Sequence, residues 1–101
     1  MSQWIFFMHP ERDDFMETMT DAEVLAFGAH AEWLQGLVAD GSLILAGPCL
    51  GRENTGILMF EAEDEAAARR IIAKEPVTGA GHMRAELRPF QVTRRGLCVR
   101  A

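Results

Sequence analysis

Residues 20–48, TDAEVLAFGAHAEWLQGLVADGSLILAGP, decide the fold. Thr20-Asp21-Ala22-Glu23 has the form of a capping box, in which the Thr20 side chain and Glu23 satisfy each other's backbone amides at a helix start. The helix is predicted to run to about Asp40-Gly41, because Gly41 suits the left-handed residue that ends many helices. Val24, Phe27, Ala31, Leu34 and Val38 recur at helical spacing and form the predicted inward stripe. His30 lies on its rim, between Phe27, Leu34 and Leu37. Trp33 falls roughly opposite, as expected of a residue covering a subunit contact or the long first loop. Leu43-Ile44-Leu45-Ala46 is a short apolar run, read as a buried strand closed by Gly47-Pro48.

The same reading extends outward in both directions. Upstream, Trp4-Ile5-Phe6-Phe7-Met8 is a strand that stops at His9-Pro10, and His9 to Met19 is a polar loop carrying Glu11, Arg12, Asp13 and Asp14. Downstream, residues 49–54 form a loop and Gly56 to Phe60 a third strand. Glu63-Asp64-Glu65 places negative charge at the start of a second helix, which suits the helix dipole. That helix turns Ala67, Ala68, Ile71 and Ile72 inward and ends near Lys74-Glu75-Pro76. Val77 to Gly81 is a predicted loop. Met83, Ala85 and Leu87 then alternate with Arg84, Glu86 and Arg88 in a half-buried strand, whose far end Pro89 makes an edge or a bend.

The order βαββαβ is that of a ferredoxin-like α+β sandwich, with two helices on one face of a four-stranded sheet. The first three strands are nearly continuous apolar runs, which implies burial on both faces. The helices cover only one, so a homodimer packed sheet to sheet is expected.

Composition bounds the function. The 101 residues predict one domain over 1–101, with a core at about 3–92 and a basic tail at 93–101. A chain this short buries about two-thirds of its unfolded surface, so a second subunit is expected to help form any deep pocket. The charge balance of 10 basic against 15 acidic residues gives a formal net charge of −5, a poor match to nucleic-acid backbones. No apolar run reaches membrane-spanning length, so no membrane partner is expected. The opening MSQWIFFMHPERDD lacks the pattern of an export signal, and the chain is predicted to be cytoplasmic. Cys49 and Cys98 form neither a CxxC pair nor a zinc pattern.

These elements resemble the YCII-related (YciI-like) family over roughly residues 3–92, nearly the whole chain. The likeness rests on the order and spacing of HAEWLQGLVADGSL, AGP at Ala46-Gly47-Pro48, EDEAAARRIIAKEP, VTGAG and RPF at Arg88-Pro89-Phe90. It implies the dimeric α/β-barrel type of ferredoxin-like fold and a site built on a His–Asp dyad. The family histidine matches His30. The family Asp-Pro pair matches Glu75-Pro76, so the carboxylate is kept but one methylene longer. A catabolic relative removes chloride from a chlorinated hydroxyquinol, and fold cousins include a muconolactone isomerase. Both reactions are proton transfers on small molecules.

His30 and Glu75 are therefore the expected catalytic pair. A partly desolvated imidazole oriented by a carboxylate is what general acid–base work needs. Read alone, Glu75 stands at the end of a helix, where the dipole disfavours a negative charge. His9 is expected to reach the same end of the sheet, and Arg12 to bind a substrate carboxylate in bidentate fashion. Gly47, Pro48 and Gly81 would let backbone approach a ligand closely. Cys49, just after Gly-Pro, could face the same pocket. His9, His30 and His82 have no metal-ligand spacing, so no metal is predicted. GAG at 79–81 is not a dinucleotide fingerprint, and no cofactor motif is present. The expected function is a dehydrohalogenase, isomerase or lyase step without a cofactor. The alternatives are a small-molecule-binding module and a structural dimer.

Overall fold

The computed structural model describes residues 1–96. Its elements are β1 (Ser2–Pro10), a 3-10 turn (Phe15–Glu17), α1 (Asp21–Ala39), β2 (Leu43–Pro48), β3 (Gly56–Ala62), α2 (Glu65–Ile72), α3 (Pro76–Gly79) and β4 (Met83–Phe90). The strands form one antiparallel sheet in the order β2-β3-β1-β4. This is the ferredoxin-like βαββαβ arrangement, of the kind found in dimeric α/β barrels.

The sheet begins from alternation along β1. Trp4, Phe6 and Met8 are buried on one face, and Ile5, Phe7 and His9 on the other are half-buried. Phe60, Leu58 and Ala62 of β3 join the first set, and α1, α2 and α3 close over it with Leu37, Ala68 and Val77. The expected burial of the first three strands on both faces is incomplete within one protomer: Ile5, Phe7, Ile57 and Met59 are half-buried and Leu45 on β2 is half-exposed. Strand β2 runs on through Gly47-Pro48 instead of ending there, and β4 runs past Pro89 to Phe90. Both prolines are tolerated because β2 and β4 are the edge strands.

Helix α1 starts as its sequence predicts. Glu23 N donates to Thr20 Oγ1 at 3.2 Å and Thr20 N to Glu23 Oε1 at 2.9 Å, and Gly41 follows the helix at φ 81°. Its inward face differs. Val24 and Val38 are half-exposed and Ala31 is exposed, whereas Glu23 and Leu37 are buried, with Phe27, His30, Trp33 and Leu34 packed between them. Apolar residues occur on both sides of α1, so periodicity alone does not choose the buried one. Trp33 belongs to the core side, not to its opposite.

Two predicted loops contain helical turns. In the first, Phe15 is fully buried and anchors the Phe15–Glu17 turn. In the second, Val77 is fully buried and Pro76 opens α3 at its first position, where proline's missing N–H costs nothing. Helix α2 ends at Ile72, earlier than the predicted Lys74-Glu75-Pro76, and the Glu75-Pro76 pair begins the next helix instead.

Beyond β4, Val92 N donates to Gln3 Oε1 at 3.4 Å, and residues 91–96 border a hollow with Ile44, Leu45 and Met59 on the open sheet face. Most of the basic tail, with Cys98, lies outside the described residues. Among the described residues, no helix is long and apolar enough to cross a membrane.

Candidate active site

His30 stands mid-helix on α1, edge-on to Phe27 with ring centroids 5.5 Å apart and tilted against Trp33 at 5.7 Å. Its Nδ1 lies 2.8 Å from Glu75 Oε2, although 45 residues separate the two. Glu75 is the N-cap of α3 and is 0% exposed. Its Oε2 also accepts from Val77 N at 2.9 Å, and its Oε1 accepts from Thr78 N and Thr78 Oγ1, both at 2.7 Å. The sequence placed this carboxylate at a helix C-terminus, where charge is disfavoured. In the fold it caps a helix N-terminus, where charge is favoured.

Burial opposes the charge on Glu75, but the hydrogen bonds from His30, Thr78 and Val77 outweigh it and hold the carboxyl below its ordinary value. An ionised Glu75 accepts a hydrogen bond from Nδ1–H, and this tautomer leaves the lone pair on Nε2. That nitrogen has no partner within the described residues and is not among their buried unpaired atoms, so it opens outward.

It opens onto a cavity of about 250 Å³ between α1 and the sheet. Buried Met8, Leu58 and Met83 form its floor, and exposed Met16, Gly47 and Pro48 form its rim. Phe27 and Leu34 flank His30. Among the described residues of the lining, His30 is the only ionisable side chain, and the rest are apolar or backbone-lined apart from Asn54.

The other sequence candidates separate from this site. Gly47 and Pro48 border the cavity. Gly81 does not; it is an exposed turn residue at φ 80° between α3 and β4. His9 shares the open sheet face with Phe7, with Nε2 2.7 Å from Glu86 Oε1 on β4. Strand parity explains this: Met8 points to the cavity, so His9 points away. Arg12 is already engaged. Its Nη2 donates to Glu23 Oε1 at 2.6 Å and its Nη1 to Glu23 Oε2 at 3.0 Å, Nε donates to Thr18 Oγ1 at 3.0 Å, and the guanidinium lies 4.4 Å from the Phe15 ring centre. The hydrogen bonds from Arg12 and then from the Thr20 amide lower the Glu23 carboxyl from 4.5 to about 2. Arg12 thus pins the first loop to α1. Cys49 is exposed and lies outside the cavity lining. Among the described residues, no three His, Cys, Asp or Glu side chains gather as metal ligands would.

Sequence reasoning missed Thr78 and Asn54. Thr78 follows a Glu-Pro pair at the third helical position, where an N-cap partner belongs, so its signal was readable. Asn54, a buried loop residue that lines the cavity, had no such signal.

A search of solved structures finds a 5-chloro-2-hydroxyhydroquinone dehydrochlorinase from Burkholderia phenoliruptrix AC1100, in complex with 2,5-dihydroxybenzoquinone. The two share 18% sequence identity over 87% of this chain and 93% of that chain, with a TM-score of 0.65, which is a likeness of fold. No curated protein matches the sequence. The family model of the YCII-related domain matches residues 4–91, and on that match the chain belongs to the YCII-related family.

Proposed function

We propose that this protein is a cofactor-independent acid–base catalyst for a small ring compound, with His30 Nε2 as the base and Glu75 as the group that orients it. The observation that carries the reading is the contact at 2.8 Å between the half-buried His30 and the fully buried Glu75 beside an apolar cavity. In the reaction, Nε2 takes a proton from an acidic O–H or C–H of the substrate. Glu75 stabilises the imidazolium that forms. For a chlorinated hydroxyquinol, the imidazolium returns that proton to the ring carbon that bears chlorine, which becomes tetrahedral; loss of a second O–H proton to water then breaks the C–Cl bond, releases chloride and leaves a quinone. Alternatively the proton returns to another carbon, which completes an isomerisation. The dehydrochlorinase with this fold supports the first course, and its quinone ligand is of a size suited to a small cavity.

Absence of a cation among the described lining residues favours substrates without a carboxylate. A second reading, a binding module without turnover, has its own support. The Asn54 amide protons are both directed at backbone carbonyls, so among the described lining residues no free side-chain N–H faces a developing anion.

The open sheet face, with Ile5, Phe7, Ile57 and Met59 half-buried, supports a homodimer packed through that face. The exposed Cys49 thiol suits a reducing compartment such as the cytoplasm.

The test is chloride release from 5-chloro-2-hydroxyhydroquinone by wild type and His30→Ala. Turnover by the wild type that falls about 10²–10⁴-fold in the variant is expected of a general base. Equal rates in the two proteins sink the catalytic role of His30. Binding without chloride release or any rearranged product selects the module reading.

A further inference from the structure

Among the described residues, Asn54 is one of three buried polar or charged ones, 7% exposed, at the end of the loop between β2 and β3. Its amide nitrogen donates to Cys49 O at 3.2 Å and to Gly51 O at 3.0 Å, which ties its own loop into a closed turn. Its Oδ1 accepts from Met16 N at 3.1 Å, 38 residues away in the first loop. Asp14 N donates to Arg52 O at 2.8 Å, so two backbone amides of the first loop are fixed to the second. Asn54 and Met16 both line the His30 cavity, and Pro48 enters the same loop from its rim. One side chain thus fixes the shape of one loop and docks the other against it, at the place where the cavity meets solvent.

We propose that Asn54 is the positioning residue that sets the width of the cavity mouth, and with it the size of ligand that reaches His30. The inference deepens the proposed function, because it rests on the His30 cavity being the ligand site. All three hydrogen bonds of Asn54 serve the wall and none is directed at a ligand, so its effect is on access and not on chemistry. An Asn54→Asp substitution is isosteric. It keeps the acceptor for Met16 N and loses both donors, so the loop between β2 and β3 is released while the docking contact remains. Asn54→Ala releases both loops.

Access is measured without a substrate. Diethyl pyrocarbonate acylates unprotonated imidazole nitrogens, and peptide mass spectrometry reads the rate at each histidine. Loss of the mouth's hydrogen bonds is expected to raise the rate at His30 by about fivefold in Asn54→Asp and more in Asn54→Ala, following the larger open population. His82, outside the cavity lining, is expected to keep its wild-type rate. An unchanged His30 rate in both variants overturns the proposal. So does a parallel rise at His30 and His82, which marks general loosening. A rise confined to His30 supports the proposal even where the wild-type protein releases no chloride, so this inference and the proposed function fail separately.

Discussion

Two histidine–carboxylate pairs lie on opposite faces of one sheet, and at the level of distance they are nearly the same. His30 Nδ1 is 2.8 Å from Glu75 Oε2, and His9 Nε2 is 2.7 Å from Glu86 Oε1. The surroundings separate them. The side chains of His30 and Glu75 are 15% and 0% exposed, those of His9 and Glu86 24% and 37%. Glu75 accepts three hydrogen bonds besides the one from His30, two of them from backbone amides. Glu86 has Arg88 at 3.9 Å and a water-facing edge. Both carboxyls are held below their ordinary values, Glu75 against burial by its hydrogen bonds, Glu86 first by the hydrogen bond with His9. A short contact and a lowered carboxyl therefore do not make a catalytic pair. What sets Glu75 apart is that the fold fixes it from both sides and leaves the far nitrogen of its histidine facing a cavity.

The largest effect follows from that difference. His30→Ala and His9→Ala each remove an imidazole from a carboxylate, yet only the first is expected to abolish turnover, by the factor given above. Equal losses of turnover in the two variants would show that the cavity, and not the pair, had been misassigned.

The next largest effect falls on stability. In Glu75→Gln, one side-chain atom that accepted backbone hydrogen bonds becomes an N–H donor facing other donors in a buried site. The expected cost is about 1–3 kcal/mol, read as a lower denaturant midpoint at pH 7. Glu75→Asp keeps a good N-cap but is one methylene short of His30. Its fold is expected to persist, with most of the lost activity appearing in kcat. Wild-type stability in Glu75→Gln would remove the account of Glu75 as a fully satisfied cap.

How much of this was legible follows from the range of the contacts. The capping box, the Gly41 ending and the βαββαβ order of elements along the chain are local or periodic, and all are readable from residues 20–48 and their flanks. The buried face of α1 was not, because Val24, Ala31 and Val38 match a helical stripe as well as Phe27, Leu34 and Leu37 do. Only the position of the sheet decides between them. The side of the sheet taken by His9 was readable in principle. Once β1 reaches Pro10, parity with Met8 sends His9 to the other face. The pairing of Arg12 with Glu23 and that of Met16 with Asn54 join separate segments through loop geometry, for which the sequence has no period. His30 with Glu75 spans 45 residues, and only the family resemblance, not spacing, brought them together.

Acid sharpens the contrast further. Glu75 has a lowered carboxyl in the folded protein, so the unfolded chain binds a proton more readily. Its contribution is fully present above the ordinary value of 4.5 and is lost as the pH falls through the folded value. Urea midpoints measured from pH 6 downward are expected to fall less steeply for Glu75→Gln than for wild type. Glu23, held at about 2 by Arg12 and the Thr20 amide, acts in the same direction. Glu23→Gln should therefore flatten the same limb without touching His30. Parallel curves for wild type and Glu75→Gln would mean that its carboxyl gains nothing from folding.

The smallest effect is expected at the second pair, and it is the one that tests the comparison from the other side. Glu86→Gln keeps a side-chain oxygen that can accept from His9, on a strand edge where water replaces whatever the carboxylate loses. The ring of His9 is still stacked on Phe7, 5.5 Å between centroids and 11° between planes, so its position does not depend on Glu86 alone. Exposed ion pairs of this kind contribute little, since side-chain ordering and salt screening offset the attraction. Melting temperature, turnover and His30 acylation should all match wild type in Glu86→Gln. A clear loss of stability there, absent at high protein dilution, would mean that the pair is buried in the assembled protein. The open sheet face would then be an interface, and the two pairs would differ less than one protomer suggests.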